Sequence, residues 1–300
     1  MSQGGKLLVA RDRLEELGEQ VPALRRLRGA DVVLTSGVQV KDQKDPRHTR
    51  GNLAAALSSV RAGVPHIYMV DAASNPGVRY QLNDIGVIAV PLLPEEGGRA
   101  RPHIIAAQLV DHFAGFDAIS VKLEGDKNIT ADPENKNIRK ILAAASENAV
   151  VTCGRSLHTF LKMPPYQRLA EAILATAIRN IADVPYDVAS GVLALNGAGR
   201  EVFYGFDGDD WSYLIHTPNA AEKVGAMVGG VQLDFTYPPE MVAAERGNKD
   251  QDGKRRMQLD LMLEAAVFVA GGLDNLEQDQ LEAYEAAKAA LSGLEELATL

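Results

Sequence analysis

Cysteine is almost absent from this chain, because Cys153 is the one cysteine among its 300 residues. A single thiol forms no internal disulfide and cannot by itself build a thiolate zinc site. Long apolar runs are also missing, and the run from Gly86 to Leu93 is far shorter than the roughly 20 residues that span a bilayer. The first segment, MSQGGKLLVARDR, reaches charged residues too early for a secretory signal. These absences predict a cytoplasmic protein with no membrane span.

Basic residues are fewer than acidic residues, with 31 Lys and Arg against 40 Asp and Glu, and the formal net charge is -9. A chain of that sign opposes a broad phosphate-binding surface, so nucleic acid is not expected as a partner. A local basic cluster remains compatible with one small anionic ligand. With 46% hydrophobic and 24% charged residues, the chain has the composition of a folded globular protein.

Short apolar segments alternate with alanine-rich amphipathic segments in the first half of the chain. This alternation predicts an α/β fold, with a mostly parallel sheet flanked by helices. The predicted strands are residues 31–35, 66–70, 86–91, 118–123 and 149–153, and the predicted helices are residues 52–61, 79–84, 104–113, 137–146 and 166–181. Dense glycine and aromatic residues between Gly191 and Tyr237 predict shorter strands and loops. Residues 1–270 are expected to form one domain, and residues 271–300 a C-terminal helical extension.

Two carboxylates follow an apolar segment in the sequence KLEGDK, residues 122–127. In open α/β sheets the ligand crevice lies beyond the carboxyl ends of the strands, where Glu124 and Asp126 are predicted to lie. Carboxylates two residues apart on a turn can point to the same side and hold a hard divalent ion, Mg²⁺ or Mn²⁺, which would bridge to a diphosphate. The alternative is that both are solvated turn residues.

Arginine and aspartate side chains follow two other predicted strands. Arg99 and Arg101 lie in a glycine-containing loop after the third predicted strand, where guanidinium groups are suited to bind phosphate. The alternative is a flexible basic loop that balances Glu95 and Glu96. Asp71 ends the second predicted strand and can accept a hydrogen bond from a nucleobase N–H, although an Asx-turn cap is the commoner use of aspartate there.

Two further candidates lie in the second half of the chain. His216, in WSYLIHTP, can serve as a third metal ligand through a neutral imidazole nitrogen, or it packs among the aromatic residues beside it. Trp211 and Tyr213 of that segment are spaced like residues of a strand. Asp187 lies in a segment flanked by proline and glycine, where a carboxylate can orient or deprotonate an acceptor hydroxyl. A structural capping role is the alternative for Asp187.

The order of these segments resembles the nucleotide-binding half of the GT-A fold glycosyltransferases. A strand ending in VDAASNPG precedes a helix, and a GV strand, the loop GGRARP with its helix and a strand ending in EGD follow. Downstream, VVTCGRS is similar to the strand after the metal motif of that family, and YDVASGVLALN is similar to its acceptor segment. The resemblance extends from about Gly29 to Gln258.

The resemblance implies a role for each matching residue. The implied substrate-binding residues are Ser36 and Gln39 near the nucleoside, Asp71 at the nucleobase, and Arg99, Arg101 and Arg155 at the diphosphate or sugar. Glu124 and Asp126 would be the carboxylates on the metal side. The sequence departs from the family in having glutamate at position 124, where aspartate is usual, and TSGVQVKD in place of an Asn-Glu pair after the first strand.

The function that the resemblance implies is transfer of a sugar from a nucleoside-diphosphate donor to an acceptor hydroxyl of a small molecule or glycan. In that family the metal neutralises the departing diphosphate, and such chemistry needs charge stabilisation more than a special nucleophile. A sugar-nucleotidyltransferase is the alternative among enzymes, although it would carry a glycine-rich basic loop after the first strand. A non-catalytic nucleotide-binding scaffold of the same fold is the alternative outside the enzymes. The glutamate at position 124, where the family usually has aspartate, favours this alternative.

The C-terminal segment from Asn275 to Leu300 carries one apolar stripe at helical spacing, which includes Leu281, Tyr284, Leu291 and Leu294. An amphipathic helix of this length gains most of its stability by burying that stripe. We therefore expect the stripe to cover its own domain or a second subunit, and we predict a homodimer.

Overall fold

The computed structural model describes residues 8–38, 46–71, 76–124, 127–132, 134–163, 165–184, 187–208, 210–235 and 249–297. The strands are β1 (Val32–Val38), β2 (His66–Val70), β3 (Ile88–Pro91), β4 (Ile119–Lys122), β5 (Val150–Arg155), β6 (Leu193–Leu195) and β7 (Val228–Leu233). The helices are α1 (Arg11–Gln20), α2 (Pro46–Arg61), α3 (Pro76–Asp84), α4 (Arg101–Phe113), α5 (Lys136–Ala145), α6 (Leu157–Lys162), α7 (Pro165–Ala182), α8 (Gly197–Tyr204), α9 (Tyr213–Lys223), α10 (Lys249–Val269) and α11 (Gln278–Leu297).

The strands form one sheet in the order β3-β2-β1-β4-β6-β5-β7. Strand β6 pairs antiparallel with β4 and β5, and every other pairing in the described part of the sheet is parallel. Helices cover both faces. Leu109 and Val110 of α4 pack on one face with Val33 and Ile67, whereas Ile141 of α5 packs on the other with Leu34. The predicted α/β class, with a mostly parallel sheet flanked by helices, is therefore confirmed.

The segment between Gly191 and Tyr237 differs from the sequence prediction. It contains the expected short strands, β6 and β7, but also two helices that were not expected, α8 and α9, and Tyr213 begins α9 rather than lying on a strand. Two glycines in α8 and Pro218 inside α9 make helix the less favoured local choice. Long-range contacts override that preference, because the buried Arg200 of α8 pairs with Asp111 of α4.

The C-terminal helix α11 packs within its own chain. It lies against α7 and α10, where Ala287 and Leu291 are buried in the same cluster as Leu174 and Ile178 of α7. Leu291 and the partly buried Tyr284 of the stripe therefore pack on the chain's own helices, and the homodimer stays a prediction. None of the helices in the described ranges is long and apolar enough to cross a membrane.

Three buried polar side chains, from β1, α2 and β2, meet at the start of β2. Nε2 of His66 lies 2.8 Å from the Ser36 hydroxyl, and Nδ1 lies 3.1 Å from the Ser59 hydroxyl. Because Ser59 already donates to the Ala56 carbonyl oxygen at 2.7 Å, it accepts from Nδ1–H, which leaves Nε2 to accept from Ser36. Burial lowers the pKa of His66 to about 3, so the ring is neutral at pH 7.

This neutral His66 predicts a loss of stability in mild acid. Between pH 6.5 and about pH 3 the unfolded chain takes up a proton at this residue and the folded chain does not, so the free energy of unfolding falls as the pH falls. The loss attributable to His66 between pH 7 and pH 5 is about 2 kcal/mol. Urea unfolding at both pH values should show this loss reduced in His66→Gln but retained in His112→Gln, which alters an exposed residue. An unchanged loss in His66→Gln would contradict the assignment.

Candidate functional site

The carboxyl ends of the parallel strands meet at one edge of the sheet, which we call the carboxyl edge. Asp71 directly follows β2 there, and Glu124 lies two residues beyond β4. Strand β6 runs in the opposite direction, so the loop that enters it, with Asp187 and Gly191, lies at the same edge. The structure thus gathers residues that the sequence placed after separate strands, in the position where open α/β sheets bind ligands.

A lysine three residues away holds the carboxylate of Glu124. Oε2 of Glu124 lies 2.7 Å from Nζ of Lys127, and the Lys127 backbone N–H donates to the Glu124 carbonyl oxygen at 3.0 Å. The Lys127 ammonium also donates to the carbonyl oxygen of Ser190. Lys127 is buried, and a buried charge needs a partner and hydrogen bonds to be stable. The Glu124–Lys127 pair is therefore a fixed part of this edge.

Gly191 allows the loop before β6 to approach this pair. A Cβ at Gly191 would lie 2.9 Å from both Oε1 of Glu124 and Nζ of Lys127, and its φ of +69° favours glycine. The buried Lys122, at the end of β4, donates from Nζ to the Gly191 carbonyl oxygen at 2.8 Å. The same Nζ lies 5.0 Å from the ring centroid of Tyr213. Two buried ammonium groups therefore converge on the loop through Ser190 and Gly191.

Arg155, at the end of β5, binds both carboxylate oxygens of Asp187. Its backbone N–H and Nε donate to Oδ2, and its Nη2 donates to Oδ1, each at 3.0 Å. Nη1 forms an ion pair with Glu171 of α7. Burial raises the pKa of Asp187, but the charge and hydrogen bonds of Arg155 outweigh burial and hold that pKa below its ordinary value. An ionised carboxylate with three donors is a weak base, which supports a structural role for Asp187.

The predicted basic loop also lies at the carboxyl edge. Cζ of Arg99 is 3.6 Å from the ring centroid of Trp211, so the guanidinium group stacks on the indole. Arg101 begins α4, and its Nη1 donates to the Glu95 carbonyl oxygen at 2.7 Å. The carboxylate of Glu96 instead binds Arg13 of α1 at 2.8 and 3.0 Å. The loop is therefore anchored on both sides, contrary to the alternative of a flexible basic loop.

His103, in the first turn of α4, is a buried imidazole that the sequence did not single out. Its Nδ1 is buried and makes no hydrogen bond within the described residues. Its Cε1 lies 3.8 Å from where a Cβ would stand on Gly37 of β1, and its ring centroid is 6.1 Å from that of Tyr213. Burial and the nearby charge of Lys122 lower the pKa of His103 well below 6.5. A neutral imidazole therefore lies between β1, β4 and α9.

The remaining predicted site residues are not brought into this group. Ser36 is fully buried, and its hydroxyl is hydrogen-bonded to Nε2 of His66 at the start of the neighbouring strand β2. His216 packs its ring 5.8 Å from that of Phe206 and 5.2 Å from that of Phe268, which supports the packing alternative for it. Gln39 and Asp126 lie outside the described residues.

The described side chains do not fit a divalent ion. Mg²⁺ and Mn²⁺ prefer several oxygen ligands, whereas one oxygen of Glu124 is engaged by Lys127. Among the described residues, no group of three or more His, Cys, Asp or Glu side chains is placed to hold a metal ion. Of the three predicted ligands, His216 packs against aromatic rings and Asp126 is not described.

Sequence reasoning missed the lysines that dominate this site. Lys122 and Lys127 flank the two carboxylates in KLEGDK, so the segment contains both lysines beside the acidic pair. An isolated KLEGDK segment gives no sign that both lysines are buried, because their partners lie in the loop through Ser190 and Gly191. Two lysines flanking strand-end carboxylates are the signal that would have pointed to an internal ion pair.

The opposite edge of the sheet carries a surface cavity of about 430 Å³. It is lined by Asp31, Phe116, Asp117, Ile119, Leu142, Ala145, Ser146, Asn196, Gly197 and Ala198. These lining residues include two aspartates and no basic side chain. The cavity is therefore poorly suited to an anionic ligand, in contrast with the carboxyl edge.

No protein-family model and no curated protein matches the chain, but solved structures do. The complex of glucosyl-3-phosphoglycerate synthase from Mycobacterium tuberculosis with Mn²⁺, UDP and phosphoglyceric acid is similar to it, with a TM-score of 0.52 and 13% identity, covering 91% of this chain and 85% of that chain. The complex with Mn²⁺, UDP and glucosyl-3-phosphoglycerate has a TM-score of 0.53 and 13% identity, covering 91% and 86%. The complex with Mg²⁺ and UDP has a TM-score of 0.50 and 12% identity, covering 88% and 85%.

These likenesses show that the chain has the GT-A fold of nucleotide-sugar glycosyltransferases. They extend over about nine-tenths of the chain, which agrees with the resemblance drawn from the order of its motifs. At 12 to 13% identity they concern the fold alone.

The ion pair between Asp187 and Arg155 predicts that a neutral side chain at position 187 destabilises the fold. Asp187→Asn keeps the shape of the side chain but removes one of the two carboxylates that face the buried Arg155. Because hydrogen bonds to charged groups are worth about 1.5–3 kcal/mol, we expect a loss of about 2 kcal/mol in the free energy of unfolding. Urea unfolding measures it, with Asp117→Asn at an exposed position as the matched control. Equal stability of the two variants would show that Asp187 is not needed to hold this loop.

Proposed function

We propose that this protein transfers a sugar from a nucleoside-diphosphate donor to an acceptor hydroxyl. The observation that carries the proposal is the convergence of cationic side chains on the carboxyl edge of a GT-A fold, in a chain whose net charge is -9. These side chains are Arg99, Arg101 and Lys122. Lys127 and Arg155 lie at the same edge, but Glu124 neutralises the first, and Asp187 and Glu171 neutralise the second. Concentrated positive charge in an acidic protein is the feature expected where an anionic ligand binds.

Within this proposal Arg99 has the clearest role. Its guanidinium group stacks on Trp211, which orders the planar fork beside the crevice, and such a fork suits two phosphate oxygens. Arg101 begins the next helix and would contribute charge at the same place. Asp71 is half-buried after β2 and would accept a hydrogen bond from the nucleobase.

The chemistry proposed here needs little from a side-chain nucleophile. The acceptor oxygen forms a bond to the anomeric carbon, the bond from that carbon to the diphosphate breaks, and the diphosphate leaves with the electron pair. The acceptor gives up its proton to solvent or to a base. The protein's main task is to stabilise negative charge on the leaving group, which fixed cationic groups do well in a partly buried site.

The carboxylate expected to hold a metal ion, Glu124, is already paired. The similar synthase structures contain Mn²⁺ or Mg²⁺ with UDP, but in this chain Glu124 is paired with Lys127. We therefore propose sugar transfer without assigning an ion to it. The cytoplasmic location, the homodimer and the small-molecule or glycan acceptor stay predictions from the sequence.

A non-catalytic nucleotide-binding scaffold is the second candidate, favoured by the engagement of Glu124 and Asp187 in ion pairs. The two candidates differ in what they do to a sugar nucleotide. We expect the protein to release free nucleoside diphosphate slowly from one member of a panel of UDP-, GDP- and ADP-sugars, because such transferases use water when no acceptor is present. Phosphatase-coupled detection of the released diphosphate measures this. Saturable binding of a sugar nucleotide without any release would instead favour the scaffold.

The stacking of Arg99 on the chain's single tryptophan predicts a binding signal. Phosphates that engage Arg99 will change the surroundings of Trp211, so UDP should alter its fluorescence in a saturable way. Arg99→Lys should weaken UDP binding by about tenfold, since lysine replaces the fork by a point charge, and should leave uridine binding nearly unchanged.

The matched control is Arg28→Lys, which alters an exposed arginine just before β1, at the opposite edge of the sheet from the crevice. It should bind UDP as the unmodified protein does. An equal loss of UDP and uridine binding in Arg99→Lys would indicate misfolding or a site elsewhere.

A further inference from the structure

The carboxylate that follows β4 already has a cation bound to it. Nζ of Lys127 lies 2.7 Å from Oε2 of Glu124, and the Lys127 side chain is 6% exposed while that of Glu124 is 34% exposed. The ammonium group is therefore more deeply buried than the carboxylate with which it pairs. This differs from an exposed pair such as Lys136 with Glu134, where both side chains are more than half exposed.

The position of Lys127 is fixed by more than its charge. Its ammonium group donates a second hydrogen bond, to the Ser190 carbonyl oxygen. Gly191 has no side chain in the 2.9 Å gap beside Nζ, and any other residue there would press on the ion pair. Ser190 is itself held, because its hydroxyl donates to the Cys153 carbonyl oxygen at 2.6 Å. The loop is thus shaped around the lysine.

A divalent ion at Glu124 would meet a fixed positive charge. To bind Oε2 the ion would have to displace a buried ammonium group, which would then lose its counter-charge. To bind Oε1 it would have to approach a second positive group a few ångströms away, and like charges at that distance repel strongly in a partly buried site. Lys122, two residues before Glu124, adds another buried ammonium group. It donates to the Gly191 carbonyl oxygen in the loop that also binds Lys127.

We propose that Lys127 takes the place of the divalent cation at this strand end, so that the protein binds a nucleoside diphosphate without metal. This inference rests on the proposed function. The Lys127 ammonium neutralises Glu124, and the carboxylate therefore does not repel the incoming diphosphate. Arg99 and Lys122 supply the remaining positive charge at the carboxyl edge, where an ion would otherwise be needed to offset the phosphates.

The test is UDP binding to the full chain, followed by Trp211 fluorescence and by calorimetry, in EDTA and in Mn²⁺. The dissociation constant of the unmodified protein should agree between the two conditions within about threefold, or roughly 0.7 kcal/mol. Lys127→Met should bind UDP at least about tenfold more weakly in EDTA, because Glu124 is then uncompensated. Mn²⁺ should restore much of that loss, since the freed carboxylate becomes available to the ion.

Two further variants keep the test decisive if Lys127→Met folds poorly. Lys127→Arg retains the positive charge and should keep metal-independent binding, and the double variant Glu124→Gln with Lys127→Met removes both charges and should recover binding in EDTA. Lys136→Met is the matched control, because it breaks an exposed Lys–Glu pair and should change nothing.

Three results would overturn the inference. One is UDP binding by the unmodified protein only in Mn²⁺, which would leave the proposed function standing and place the ion on a residue such as Asp126. Another is metal-independent binding that Lys127→Met leaves unchanged, which would show that Lys127 has no part in it. The third is failure of UDP, GDP and ADP to bind in either condition, which would remove the proposed function as well.

Discussion

The direction of β6 is the constraint on which the candidate site depends. Because β6 runs antiparallel between β4 and β5, the loop that enters it reaches the edge where those two strands end. Its Ser190 and Gly191 carbonyl oxygens accept from the buried Lys127 and Lys122, and its Asp187 binds Arg155. A parallel strand in that position would have brought the loop after it, rather than the loop before it, to the carboxyl edge. The short β6 therefore decides which carbonyl oxygens and carboxylates surround the cations.

Burial explains why these charges are fixed. Each cation at the centre of the edge has both a carboxylate or ring partner and a backbone or second polar contact, so charge and hydrogen bonding offset the cost of leaving water. Lys127 has Glu124 and the Ser190 carbonyl oxygen, and Arg155 has Asp187 and Glu171. Groups held in this way do not have to reorganise when negative charge develops beside them, which is the property that stabilises a departing diphosphate.

Local pattern predicted strands β1 to β5 and helices α2 to α5 and α7, but not α1 or α6, and it predicted the site only in part. Strand β2 was predicted with the bounds it has, His66–Val70, because the mostly apolar segment HIYMV stands between turn residues. Helices α8 and α9 were missed because Gly197, Gly199 and Pro218 disfavour helix locally, and only long-range contacts such as that of Arg200 with Asp111 offset this. The Glu124–Lys127 pair is local in sequence, but its burial depends on the loop through Ser190 and Gly191, and Ser190 lies 63 residues from Lys127. No periodic pattern in the sequence predicts that this loop lies beside the ion pair.

The most direct test of this account is a crystal structure of the full chain with UDP bound in the presence of EDTA. The account predicts the diphosphate at the carboxyl edge, against Arg99 and the loop through Ser190 and Gly191, with Lys127 still paired to Glu124. UDP bound at the opposite edge, near the cavity lined by Asp31 and Asn196, would contradict the assignment of the site. UDP bound at the carboxyl edge with the Lys127–Glu124 pair broken would contradict the role given to Lys127.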